Sequence, residues 1–174
     1  MTRATIDLLY RRVPLFHHVD LRVLWADTDP AGIVWFGVFF RYFEQAEEEL
    51  FRALGHDRTK LLADLGIFMP RTSLQSRFKS PARLGDEIAV GVGVSAITDR
   101  RIEYAFDIRE RGTGRLICDA SYRVACVEQQ TFAPRAFPRQ IVDLLAPALT
   151  LRERSTERDV STEREASAER PRTR

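Results

Sequence analysis

From Phe36 onward the large apolar residues recur at three- and four-residue steps: Phe36, Phe39, Phe40, Phe43, Ala46, Leu50 and Leu54. Arg41, Glu44, Glu47, Glu48 and Arg52 fill the positions between them. That is the period of one face of an α-helix, and Gly55 stands where a helix C-cap belongs. One long helix with so broad a stripe cannot form a bundle by itself. It has to lie on a surface that the rest of the chain supplies, and that requirement constrains the fold more than any other feature.

The rest of the chain reads mainly as strands. Residues 18 to 25, H-V-D-L-R-V-L-W, alternate apolar and polar for part of their length, as a half-exposed strand does. A short helical piece around 57 to 65 ends at Gly66. Four strand-like stretches follow at about 67 to 79, 86 to 98, 101 to 111 and 115 to 128. The links between them carry turn chemistry: S-P-A-R-L-G-D, then D-R at 99 and 100, then R-G-T-G. Such short links predict an antiparallel meander, and Pro138 followed by R-Q-I-V-D-L-L predicts a short closing helix. The expected class is α+β, an antiparallel sheet wrapped around one long central helix.

With 174 residues, 44% of them hydrophobic, the chain can build one domain, placed at 17–150 after an N-terminal arm at 1–16. The last 24 residues hold seven arginines and six acids against Leu151 and Val160, so 151–174 is expected to be a charged, disordered tail. A net charge of +2 gives no general attraction for nucleic acid or for an anionic membrane, and neither is expected as a partner. No apolar run near the start has the length of a signal or a membrane span, so a cytoplasmic protein is expected. Cys118 and Cys126 are eight residues apart in one predicted strand, roughly 26 Å if extended, which is too far for a disulfide.

The chemistry concentrates just before the helix, in W-A-D-T-D-P-A-G-I-V-W-F-G-V at 25 to 38. Asp27 and Asp29 precede the most hydrophobic segment of the chain. Asp before Pro with Gly two residues on is ordinary turn and cap chemistry. Equally, a carboxylate surrounded by Trp25, Ile33, Val34 and Trp35 would lose hydration, gain basicity and face the free N–H groups of the helix start. Asp27 reads as the partner that shapes the loop, and Glu44 as a structural carboxylate beside the stripe.

The stretches D-T-D-P-A-G-I-V-W-F, F-R-Y-F-E-Q-A-E-E-E-L-F-R-A-L-G and F-K-S-P-A-R-L-G-D-E-I together resemble the hotdog-fold acyl-CoA thioesterases of the 4-hydroxybenzoyl-CoA thioesterase type, over about 19 to 140. The resemblance implies that Asp29, directly before the proline, is the catalytic carboxylate, as nucleophile or as general base for water. It implies that the Phe36 N–H polarises the thioester oxygen, with Ile33, Val34 and Trp35 as substrate-binding residues. It implies that Arg100 and Arg101, in the turn between two later strands, contact the coenzyme A nucleotide. It also implies an acyl-CoA substrate, no cofactor beyond the coenzyme A that belongs to that substrate, and a homodimer or homotetramer with sites at subunit interfaces. The chain departs from many relatives at Phe36, where Tyr or His is common, and at Val38, where Asn is common. A backbone N–H survives any side chain; a side-chain role at those positions does not.

His17, His18 and His56 show no metal-ligand spacing, and no G-x-S-x-G elbow appears. The leading expectation is an acyl-CoA thioesterase with an aryl-CoA such as 4-hydroxybenzoyl-CoA or benzoyl-CoA favoured. The alternatives are a short- or medium-chain fatty acyl-CoA or acyl carrier protein thioesterase and a non-catalytic acyl-binding module. A hotdog dehydratase calls on a pocket His, and none stands near the motif.

Overall fold

The structure, a computed structural model, describes residues 15–150. The expected arm lies almost wholly, and the tail entirely, outside the described residues. Strand β1 (His17–Arg22) leads through a single 3-10 turn, Trp25–Asp27, and a loop into helix α1 (Val38–Ala53). Helix α2 (Arg58–Asp64) follows, capped by the Asp57 carboxylate, which accepts from the Lys60 N–H at 2.8 Å. Then come β2 (Ile67–Phe68), β3 (Arg71–Phe78), β4 (Glu87–Ile97), β5 (Ile102–Glu110), β6 (Leu116–Val124), β7 (Val127–Glu128) and α3 (Arg139–Leu145). No helix among the described residues is long and apolar enough to cross a membrane.

The main sheet is antiparallel throughout, in the order β1-β4-β5-β6-β3, while β2 and β7 form a separate pair. The meander expected from turn chemistry therefore holds for β4, β5 and β6 only. Strand β3 crosses to the far edge and pairs with β6. Composition explains the displacement: β4 is apolar on both faces and suits the sheet interior, whereas R-T-S-L-Q-S-R-F of β3 is mostly exposed and suits an edge. The link S-P-A-R-L-G-D is thus a strap that crosses the ends of β6 and β5, a span of about 14 Å at the usual strand spacing. It is tied down by Lys79 N–H to the Ile117 carbonyl (2.8 Å) at one end and Gly85 N–H to the Val23 carbonyl (2.9 Å) at the other.

Helix α1 buries Phe39, Tyr42, Phe43, Ala46, Glu47, Leu50 and Phe51 against the sheet. The buried stripe is rotated from the expected one, since Phe36 and Phe40 are exposed while Tyr42, Glu47 and Phe51 are covered. Phe43 stacks on Phe106 of β5 with ring centroids 5.0 Å apart, and Phe39 meets Phe78 of β3 at 5.0 Å. Both cysteines are free and buried, but Cys126 lies beyond the end of β6 and not on it.

Candidate active site

Between the 3-10 turn and α1 the chain doubles back as a narrow hairpin. Trp35 N–H donates to the Asp27 carbonyl (2.9 Å), Thr28 bridges Val34, and Asp29 N–H donates to the Ile33 carbonyl (3.0 Å). Gly32 sits at φ +72°, a left-handed conformation that glycine adopts without strain. The Asp29 carboxylate accepts the Ala31 N–H at 2.8 Å through Oδ1, so Asp29 organises its own turn. Its Oδ2 takes no hydrogen bond from any described residue, and the residue is half-buried. The turn reading therefore holds for Asp29, with one carboxylate oxygen held by the backbone.

Asp27 is different. It is almost fully buried and accepts from Leu24 N–H (2.9 Å), from the Tyr42 hydroxyl (2.8 Å) and from the Arg41 guanidinium. Burial alone pushes its carboxyl pKa up, but the Leu24 amide, Tyr42 and Arg41 favour the anion and leave it below the ordinary value. Burial, reinforced by Asp27, drives the Tyr42 phenol far up. Asp27 is the permanent anion that ties the hairpin to α1, as the sequence suggests.

The apolar enclosure expected around Asp29 is not supplied by the described residues. Val34 is buried, but Trp25 is 79% exposed and Trp35 is 50% exposed, with no described element covering them. Ile33 is half-buried. Phe36 follows directly, its ring 58% exposed and 4.9 Å from the Trp35 ring. Its backbone N–H has no acceptor among the described residues. Gly37 then allows the Trp35 indole to lie over the helix start, since a Cβ there would stand 2.2 Å from the Trp35 ring. The strap braces this hairpin from below: Val34 N–H donates to the Ala82 carbonyl (2.9 Å), and Ile33 bridges Arg83.

Arg100 and Arg101 occupy the exposed β4–β5 turn. Thr98 donates to the Arg101 carbonyl through its N–H (2.8 Å) and its hydroxyl (3.1 Å), and the Arg100 guanidinium lies 3.8 Å from Asp99. That turn is separated from the hairpin by the whole of β4, eleven residues or about 33 Å. The structure therefore brings Asp29, Ile33, Val34, Trp35 and Phe36 together and leaves the two arginines at the opposite end of the same chain.

Sequence reasoning also misplaced Glu47, which it set on a solvent-facing side of the helix. It is fully buried and accepts from Arg58 (3.2 Å), Arg71 (2.6 Å) and the Tyr122 hydroxyl. The available signal was its position four residues after Phe43 and four before Phe51, on the stripe itself.

A family profile described as the thioesterase-like superfamily matches residues 23–145. The chain belongs to the thioesterase-like superfamily. Its sheet with α1 across one face is the hotdog arrangement of the superfamily's solved structures. A 1,4-dihydroxy-2-naphthoyl-CoA hydrolase of Thermosynechococcus vestitus is 30% identical over 94 residues, 54% of this chain and 64% of that protein, a little under two thirds of its length. The acyl-CoA thioester hydrolase YbgC of Escherichia coli O6:H1 is 26% identical over 122 residues, 70% of this chain and 90% of that protein. Among solved structures, the 1,4-dihydroxy-2-naphthoyl-CoA thioesterase Slr0204 of Synechocystis superposes with a TM-score of 0.68 at 19% identity, covering 74% of this chain and 94% of that one. At that identity the superposition speaks for the fold alone.

Proposed function

We propose that the protein hydrolyses acyl-CoA thioesters to the free acid and coenzyme A, with aryl-CoA substrates favoured. Membership of the superfamily and the thioester hydrolases among its relatives support the thioesterase activity. The observation that carries the mechanism is the pairing, on one hairpin, of an Asp29 oxygen without a donor and a Phe36 N–H without an acceptor among the described residues. The Phe36 N–H, in the turn just before the N-cap Gly37 of the sixteen-residue helix α1, takes the developing oxyanion. Asp29 attacks the acyl carbon or draws the proton from an attacking water. The coenzyme A thiolate then leaves without strong acid assistance, and on the nucleophilic route water hydrolyses the remaining acyl-Asp29 anhydride to release the acid. No cofactor enters this scheme.

The exposed aromatic surface of Trp25, Trp35, Phe36, Phe40 and Phe78 supports an aryl acyl group and a second copy of the chain that closes the site. A role for Arg100 and Arg101 in holding coenzyme A then requires that another copy supply them. The relative YbgC is named as an acyl-CoA thioester hydrolase with no aryl group specified, which keeps a second reading in play, a short- or medium-chain acyl substrate. A panel of aryl-, short-chain and long-chain acyl-CoA thioesters with free-thiol detection decides between them. Highest kcat/KM for the aryl members supports the aryl reading, highest for aliphatic members replaces it, and coenzyme A binding without thiol release makes the protein a binding module.

A further inference from the structure

The strap beneath the hairpin carries an unusual concentration of unpaired positive charge. Among the described residues, Arg83, Arg101, Arg115 and Arg135 are the arginines with no carboxylate within ion-pair distance. Two of these four are tied to the strap. Arg83 is part of it, exposed, and bridged through its backbone to Ile33. Arg115 reaches over from the β5–β6 turn, and its Nη1 donates to the Ser80 hydroxyl (2.7 Å) and the Pro81 carbonyl (2.8 Å). Nearby carboxylates are committed elsewhere: Asp86 accepts the Arg83 backbone N–H (2.8 Å), Glu110 accepts the N–H groups of Gly112 (2.7 Å) and Thr113 (2.9 Å), and Glu87 pairs with Arg22 (2.9 Å). Arg115 is thus pinned through one nitrogen, and the Glu110 carboxylate attracts it without coming within ion-pair distance. An exposed arginine on the strap and a second one pinned to the same strap are suited to gripping phosphate oxygens.

Distance selects the ligand. The pantetheine arm of coenzyme A places about thirteen bonds between sulfur and the first phosphorus, roughly 16 Å at the ~1.2 Å per bond of an extended chain. Arg83 faces Ile33 across a strand-like bridge of about 5 Å, and Ile33 in turn closes the Asp29 turn. With roughly 7 Å of side chain, the Arg83 guanidinium is able to reach about the distance at which the phosphates of a thioester held at Asp29 would lie. The β4–β5 turn is twice as far. We propose that Arg83 and Arg115 form the anion site that holds the phosphoryl groups of the coenzyme A handle, in the same chain as the Asp29 it serves. This assignment rests on the thioesterase reading of the hairpin.

The test compares the acyl-CoA that the protein turns over best with the same acyl group on pantetheine, which lacks the phosphates. Arg83→Ala and Arg115→Ala should each raise KM for the CoA thioester about tenfold, with kcat within about twofold and KM for the pantetheine thioester unchanged. Arg115→Lys, which retains charge, should recover part of the loss. An unchanged KM for the CoA thioester, an equal rise for both substrates, or a rise confined to an Arg100→Ala/Arg101→Ala double variant overturns the assignment. If the protein hydrolyses no thioester, the catalytic reading fails by itself and calorimetry with free coenzyme A decides the site. Affinity about tenfold weaker in Arg83→Ala supports it, and unchanged affinity, or no binding by the natural chain, ends it.

Discussion

Asp27 and Asp29 stand one residue apart and meet opposite environments, and their substitution should separate catalysis from stability. Asp29→Asn keeps size and turn geometry but removes the anion, so folded protein is expected with kcat lowered at least about a hundredfold, measured by thiol release under saturating substrate. A variant retaining more than a tenth of the activity would take Asp29 out of the mechanism. Asp27→Asn removes the charge that holds Leu24, Arg41 and Tyr42 together, and should cost about 1–3 kcal/mol of unfolding free energy in urea titrations. Because the native pKa of Asp27 lies below its unfolded value near 3.9, its contribution is complete above that pH and is lost as pH falls through the native pKa. The natural chain should therefore lose stability below about pH 4, and Asp27→Asn should flatten that limb. The D-x-D-P-x-G pattern made both carboxylates visible in the sequence. Which one is buried was not, because the partners of Asp27 come from the next turns of α1, and the tip around Asp29 depends on what covers it.

At the scale of elements, Glu47 fastens α1 to β3 and α2 through Arg71 and Arg58, and its neighbour Tyr122 carries Arg71 over its ring at 5.0 Å. Eleven residues of helical rise separate it from Phe36, about 16 Å, beyond the reach of a single aromatic ring seated at the Phe36 N–H. Glu47→Gln should accordingly cost about 3 kcal/mol of stability, since it leaves the largely desolvated Arg58 without its anion and Arg71 with only Glu44 at 3.7 Å, while kcat/KM of the protein that remains folded stays within about twofold. A large loss of turnover in folded Glu47→Gln would place the network in the reaction path. The hydroxyl of Tyr104, buried on β5 without a partner among the described residues, offers the complementary check. Tyr104→Phe should be neutral or raise the melting temperature, because it removes an unsatisfied buried polar group and keeps the ring. Helical period located α1 to within two residues at its start, but it could not show which polar residue on the stripe would be paired inside.

At the scale of the whole molecule, the exposed aromatic face at the hairpin and the uncovered edge of β3 adjoin each other, Phe78 being 51% exposed and in contact with Phe39. A second copy of the chain is the occupant proposed for this surface, so sedimentation at micromolar concentration should give a dimer or tetramer. Phe78→Asp should shift the mass toward the monomer and lower activity with it; a natural chain that sediments as a monomer with full activity would mean that one copy suffices. Local pattern was enough to specify the long helix, the approximate places of the strands, the turn at Asp29 and the superfamily motif, because each depends on residues a few positions apart; the expected strands at 67–79 and 115–128 each break in two, into β2 and β3 and into β6 and β7. The crossing of β3 to the far edge, the strap that braces the hairpin, the pairing of Glu47 with Arg58 and Arg71 and the separation of Arg100 and Arg101 from Asp29 by the length of β4 were decided by tertiary structure alone. Each depends on which strand takes an interior place in the sheet, and that choice is made by the burial of two faces at once, a property of the assembled sheet that no short stretch of sequence contains.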